Sequence, residues 1–431
     1  MTMKINFIKE LEWREILNDV MPGTEELLNK EMTTGYIGFD PTADSLHVGS
    51  LAQIMTLVRF QLAGHKPLAL VGGATGMVGD PSGKSSERNL LDTKTLNKNV
   101  KGIKKQLQQF LNFSPDINNC AEIVNNYDWF KKYSFLDFIR DAGKHITVNY
   151  MMAKDSVKNR INGDTGMSFT EFSYQLIQGY DFYHLWKEKN CKIQMGGSDQ
   201  WGNITTGTEF IRRKASGEAF ALTTQLIKKA DGTKFGKSES GNIWLDRNKT
   251  SPYKFYQFWL NVSDEDSKNY IRVFTMLSQT EIEELETKHD AASHERHLQK
   301  ALAKEITIRV HSEKDFNDAV ATGEFLFKSK AKDVANLKAS KFKKLLGGID
   351  TFEINKTELT EPINIVTLLV EKSGVFPSNN VAREMIKGNA VSFNKTKITD
   401  ANALVDLSQF NNETYLLISK GKKENYLIKL V

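Results

Sequence analysis

The feature that most limits what this chain can fold into is an alternation in its first half. Short apolar runs take turns with longer segments of helical period: TGYIGFD, then Leu46 to Gln61, then PLALVGG, then Lys94 to Leu111. Strands separated by helix-length crossovers predict a parallel sheet covered on both faces, hence a doubly wound α/β fold. Within Lys94 to Leu111 the apolar positions Leu96, Val100, Ile103, Leu107, Phe110 and Leu111 follow a period of 3.6, with Lys94, Lys98, Lys101 and Lys105 opposite. This is the pattern of a helix lying on a sheet. It resumes with AEIVNN, a helix over Ser173 to Trp186, the strand CKIQM and a glycine-rich turn before Trp201.

At 431 residues the chain exceeds what one hydrophobic core sustains, so two or three domains are expected. Strand signals fade after about Pro252, and charged helices follow. The segment KKLLGGIDTFEINKTELTEP reads as a connector to a last unit that opens with INIVTLLVEKSG and ends in the β-branched tail YLLISKGKKENYLIKL. The formal charge is +5, a mild excess. Its distribution is more telling: seven lysines lie between Phe327 and Leu346 (Lys328, Lys330, Lys332, Lys338, Lys341, Lys343, Lys344) against the single acid Asp333. Such a run is either a solvated helix face or a nucleic-acid footprint. Cys120 and Cys191 are too few and too distant for a disulfide framework or a cysteine-based zinc site, so no zinc is expected. The N-terminal segment lacks a signal-peptide core, and no run approaches the ~20 apolar residues of a membrane span. Both point to the cytoplasm.

Two stretches carry chemistry. In FDPTADSLHVGS a strand ends near Asp40, Pro41 forces a turn, Asp44 or Ser45 can cap a helix, and His47 projects from its first turn. Backbone N–H groups and the helix dipole favour a phosphate there. Gly49 lets a flat ring approach the helix backbone. In KADGTKFGKSES, Lys234 and Lys237 stand three apart around Gly236, in a polar segment suited to a mobile loop that brings two cations onto a polyphosphate. GDPSGKS is no P-loop, because the first glycine of that motif would fall on Val78.

Together these stretches resemble the class I aminoacyl-tRNA synthetases, whose signatures are written HIGH and KMSKS. Here they read His47-Val48-Gly49-Ser50 and Lys234-Phe235-Gly236-Lys237-Ser238. GYIGFDPTADSLHVG, GGATGMVGDPSGKSSER, FTEFSYQLIQGYDF and QMGGSDQWGNI are similar to the bacterial tyrosyl enzymes within that class, and the similarity runs to the C-terminal unit. One departure is Ser50, which replaces the second signature histidine.

The resemblance implies a Rossmann-like catalytic domain over 1–250, a helical anticodon-stem-binding domain over 251–346, a linker over 347–362 and a small α+β RNA-binding domain over 363–431, like one found in a ribosomal protein. It implies attack of a tyrosine carboxylate on ATP, with Mg²⁺ accompanying the nucleotide. Thr42, His47, Lys234 and Lys237 are the implied catalytic set, with Lys84 and Arg88 as secondary cations. Tyr36 and Asp181 would pair with the substrate phenol, and a phenylalanine would leave both buried groups unmet. Tyr174, Gln178 and Asp181 fall on one helix face by spacing. In the family Tyr174, Gln178 and Asp80 hold the ammonium, while Gln194 and Gln200 orient the rest of the amino acid. ATP would meet Gly38, Asp40, His47, Gly49, Ser50, Gly196, Gly197, Asp199, Lys234, Lys237 and Ser238. Transfer RNA would meet Lys341, Lys343, Arg383, Lys387, Lys395 and Lys397. The family is a homodimer, so apolar segments between about Phe135 and Met152, with Phe169, are the expected interface.

Overall fold

The apolar runs of the first half do become neighbours in one sheet. The computed structural model of the chain describes residues 5–82, 91–163, 166–233, 235–238, 241–421 and 424–431, with the side chains of Lys237 and Ser238 outside that description. Six strands, β1 (Leu17–Val20), β2 (Thr34–Phe39), β3 (Lys66–Val71), β4 (Glu122–Asn125), β5 (Cys191–Gly197) and β6 (Phe220–Thr224), stand in the order β1-β6-β5-β2-β3-β4. All neighbours are parallel except β1, which pairs antiparallel with β6 and closes that edge. The sequence pattern did not announce β1, because its burial is slight.

The chain runs from β2 outward through β3 to β4, then returns to place β5 on the other side of β2. A crevice therefore opens between the carboxyl ends of β2 and β5, where neighbouring connections leave in opposite directions. Helices Val48–Leu62, Thr93–Leu107, Phe169–Lys189 and Trp201–Ala215 form the crossovers. Thr93–Leu107 buries Leu96, Val100, Ile103 and Leu107, the face its period foretold.

Contacts divide the chain into two compact units, 1–249 with 262–302, and 250–261 with 303–431. This revises the expected boundaries. Residues 262–302, including the helices Asp264–Phe274 and Gln279–Ala291, belong with the sheet of the first unit and not with a separate helical domain over 251–346. The expected linker 347–362 also contains a strand: Asp350–Ile354 pairs in parallel with Glu424–Leu430. It completes a five-stranded sheet with Tyr415–Lys420, Val391–Phe393 and Thr396–Lys397, while Ile363–Asn364 pairs with Leu404–Val405. The glycine pair and scattered acids of 347–362 hid this strand, whose partner lies over seventy residues away in sequence. The lysine-rich helix Ala339–Leu346 packs in the same unit through Phe342 and Leu346, with the Phe342 and Tyr415 rings stacked at 5.4 Å.

Candidate active site

The helix that follows β2 begins at Val48, and its cap is His47 itself, not Asp44 or Ser45. The cause is a pairing that no local pattern shows. Leu245 N donates to Leu46 O and Val48 N donates to Ile243 O, both at 2.9 Å, so residues 46–47 are held extended and the helix starts late. Asp44 is taken up instead by Lys249 and Lys98, which hold its carboxyl below the usual range. Ser45 is buried, donating to Leu46 O and accepting from Gln106.

The His47 ring folds back so that Nδ1 accepts from Gly49 N at 3.0 Å. A nitrogen that accepts carries no proton, so the neutral ring keeps its proton on Nε2 as a donor. The flat ring that Gly49 admits is therefore this imidazole: a Cβ at position 49 would lie 2.6 Å from its Cε1. The same pairing joins the two signatures. Trp244 bridges to His47, and Gly236 packs against Val48 and Gly49, so the His47 turn and the 235–238 segment are immediate neighbours. Lys237–Ser238 forms a short antiparallel pair with Gly241–Asn242. Lys234, Lys84 and Arg88 lie outside the described residues. Thr42 is exposed and Ser50 half-exposed.

At the carboxyl ends of β2 and β5 lies a cavity of about 260 Å³. Tyr36, Gly38, Asp40, Gly49, Asp80, Tyr174, Gln178, Asp181, Gln194, Gly196, Gly197, Asp199 and Gln200 all line it, each of them singled out in the sequence. Tyr36 and Gln194 are register partners on adjacent strands, which aims both side chains to one side of the sheet. Tyr174, Gln178 and Asp181 share one face of Phe169–Lys189, as their spacing required. His47 and Thr42 do not line the cavity itself.

Asp181 is 1 % exposed and its oxygens accept from Trp129 Nε1 at 2.9 Å and Asn126 Nδ2 at 3.0 Å. Burial outweighs these donors, and with the charge of Asp40 it pushes the carboxyl up to about 8. Tyr36 is equally buried, which drives its phenol well above its ordinary value, with Asp181 adding to the effect. Tyr174 donates to Asp40 at 2.8 Å, and Thr75 donates to the other Asp40 oxygen at 2.7 Å. Burial first, then Asp40 and Asp80, raises the Tyr174 phenol. Asp80 accepts from Ser82 N at 2.9 Å and from Gln200 at 2.8 Å.

Four buried polar atoms on this cavity have no hydrogen-bond partner among the described residues: Tyr36 Oη, Gln53 Oε1, Gln178 Oε1 and Gln194 Oε1. An unmet buried polar atom costs about 1–3 kcal/mol, so four converging on one cavity are the mark of a polar ligand.

Several lining or supporting groups escaped the sequence reading: Thr75, Asn126 and Trp129, with Gln53, which donates to Thr224 at 2.9 Å. The asparagine pair at the end of AEIVNN was the available signal, since it sits at the carboxyl end of a parallel strand.

In the second unit, Lys341 and Lys343 are exposed on Ala339–Leu346, Arg383 and Lys387 on Asn379–Lys387, and Lys397 on the edge strand. Lys395 differs. It is half-buried, its ammonium donates to the Leu326 carbonyl, and burial lowers its pKa, so it is withdrawn from the exposed cations.

Residues 28–327 match the family of tRNA synthetases class I (W and Y). The chain belongs to this family. Residues 341–428 match the tyrosine–tRNA ligase SYY-like C-terminal domain. Among relatives of this class I synthetase, the tyrosine–tRNA ligase of Bacteroides fragilis strain YCH46 is 57% identical over 98% of this chain and 99% of its own length. That of Cytophaga hutchinsonii is 58% identical over the same shares. The solved structure of a C-terminally truncated mitochondrial tyrosyl-tRNA synthetase from Aspergillus nidulans aligns with a TM-score of 0.66 and 29% identity, covering 76% of this synthetase and 95% of that chain. Among the described residues, no helix is long and apolar enough to cross a membrane, and no three His, Cys, Asp or Glu side chains form a group that could hold a metal ion.

Proposed function

We propose that this synthetase is a tyrosine–tRNA ligase, and that the cavity between β2 and β5 is where tyrosine and ATP meet. The observation that carries this reading is that the Tyr36 hydroxyl, without a partner among the described residues, and the buried Asp181 carboxyl both face the cavity. A phenol can donate to one and accept from the other, which a phenylalanine or tryptophan side chain cannot do.

The tyrosine ammonium meets Tyr174, Gln178 and Asp80, with Asp40 beside them, and Gln194 and Gln200 orient the rest of the amino acid. Its carboxylate is already ionised, so its attack on the α-phosphate of ATP needs no general base. The protein's contribution is position and charge. Gly38, Asp40, Gly49, Gly196, Gly197 and Asp199 bracket the nucleoside. His47, Thr42, Ser50, Lys234, Lys237 and Ser238 serve the phosphates that leave as pyrophosphate. Mg²⁺ travels with the nucleotide; Asp40 and Asp80 are already engaged by protein donors and form no dedicated cage for it. Tyrosine then passes to the 2′-hydroxyl of the terminal adenosine of tRNA in the cytoplasm. Lys341, Lys343, Arg383, Lys387 and Lys397 contact that RNA. Phe135, Leu136, Val148 and Phe169, each more than 60 % exposed, support a homodimer interface.

The test is ATP–pyrophosphate exchange measured with each amino acid. Exchange with tyrosine alone is expected, and should fall by about 10²-fold or more in Lys237→Ala. Exchange driven by tryptophan would make this the sister enzyme of the family. Its absence with every amino acid would leave a silent RNA-binding scaffold.

A further inference from the structure

The helix Asp264–Phe274 takes hold of the second signature from below. Ala230 N donates to Asp266 at 2.8 Å, Tyr270 donates to Lys228 O at 3.2 Å, and the Phe235 ring lies against Tyr270 at 4.9 Å and Phe274 at 5.3 Å. Both ends of the approach to Lys237 are thus fixed to one helix. Gly236, at φ +83, then turns the chain onto the His47 helix, where a side chain would press on Val48. Ile243 N closes the turn by donating to Gly236 O at 3.1 Å.

The carboxyl end of the same helix, where Phe274 sits, is tied to the first signature as well. Arg59, on the helix that His47 caps, donates to the carbonyls of Arg272, Val273 and Thr275 at 3.1, 2.7 and 2.8 Å. Arg14 donates to Arg272 O at 2.8 Å and to Leu277 O at 2.7 Å. Both guanidiniums are about 98 % buried or more, on the electronegative end of a helix where cations are favoured. These groups make Asp264–Phe274 a common reference for His47 and for residues 235–238.

We propose that Phe235 is a positioning residue. Its ring, seated on Tyr270 and Phe274, sets where Lys237 is presented to the nucleotide phosphates, and Arg59 registers that seat to His47. This inference rests on the reading that Lys237 serves those phosphates. It extends that reading by assigning a task to the one large apolar residue in a segment otherwise built for charge.

The experiment compares Phe235→Ala and Phe235→Leu with wild type in tyrosine-dependent pyrophosphate exchange, with tyrosine affinity measured by equilibrium dialysis without ATP. Misplacing a cation by an ångström or so costs roughly ten- to a hundredfold in rate. Phe235→Ala should lose that much kcat while its tyrosine Kd stays within about twofold, and Phe235→Leu, which still fills the seat, should recover most of the loss. Phe235→Ala exchanging at the wild-type rate overturns the proposal, as does a loss of tyrosine binding that matches the loss of rate. Lys237→Ala separates the two ideas: if it is fully active the phosphate reading itself is wrong, whereas an inactive Lys237→Ala beside a fully active Phe235→Ala removes only the positioning role.

Discussion

The Asn126 side-chain amide donates to the Asp181 carboxyl at 3.0 Å and to Thr75 Oγ1 at 3.1 Å, while its oxygen accepts from Ala74 N at 2.6 Å. Through Thr75 the link continues to Asp40 and Tyr174, so one network joins Asp181 to Asp40 and Tyr174 along the cavity. Replacing Asn126 by Ala would remove a donor that favours the ionised Asp181 and free Thr75 to turn. Tyrosine KM should rise by about tenfold, the worth of one hydrogen bond, with ATP KM nearly unchanged. Initial-rate kinetics with each substrate varied in turn would show it, and equal changes in both constants would contradict it.

The Asp181 carboxyl, raised from 3.8 to about 8, makes stability depend on pH. The folded chain holds a proton there that the unfolded chain releases above about pH 4, so rising pH favours unfolding up to about pH 8 and has no further effect beyond it. Thermal melts of the substrate-free protein between about pH 5 and 9 should show wild type losing stability relative to Asp181→Asn across that window. Parallel curves would mean that Asp181 is already ionised throughout.

Tyr36→Phe deletes a buried hydroxyl with no partner among the described residues in the substrate-free protein. Melting temperature should therefore stay the same or rise slightly, since about 1 kcal/mol of unmet desolvation disappears. Preference for tyrosine over phenylalanine should fall by roughly tenfold in pyrophosphate exchange. A large loss of stability would instead give Tyr36 a structural role.

Phe135 and Leu136 are 69 % and 70 % exposed on a helix that buries no residue of its own. Adjacent apolar side chains so displayed are the basis of the proposed dimer interface. Light scattering should report a dimer for wild type and a monomer for Phe135→Asp with Leu136→Asp; a wild-type monomer would refute this directly.

Arg383 is exposed on a helix that is anchored through the buried Ala382 and Ile386, so Arg383→Ala should leave the fold intact. Its removal should weaken tRNA binding and reduce the slope of log K against log salt by roughly one. Filter-binding titrations at several salt concentrations measure both; an unchanged slope would place the RNA elsewhere.

The sequence by itself determined the parallel sheet and the crossover helices, because periods of two and 3.6 are local, and its motifs pointed to most of the cavity lining through their resemblance to the family. It set Tyr174, Gln178 and Asp181 on one face by spacing alone. Tertiary structure decided what depends on partners distant in the chain. Residues 243–245 pairing with 46–48 made His47 the cap and brought the two signatures together. Asn126 and Trp129 became supports of Asp181 only once β4 lay in place beside β3. The strand Asp350–Ile354, invisible in its own residues, exists because Glu424–Leu430 offers it an edge. Long-range hydrogen bonds leave no periodic trace in sequence, so these features could be read only from the folded chain.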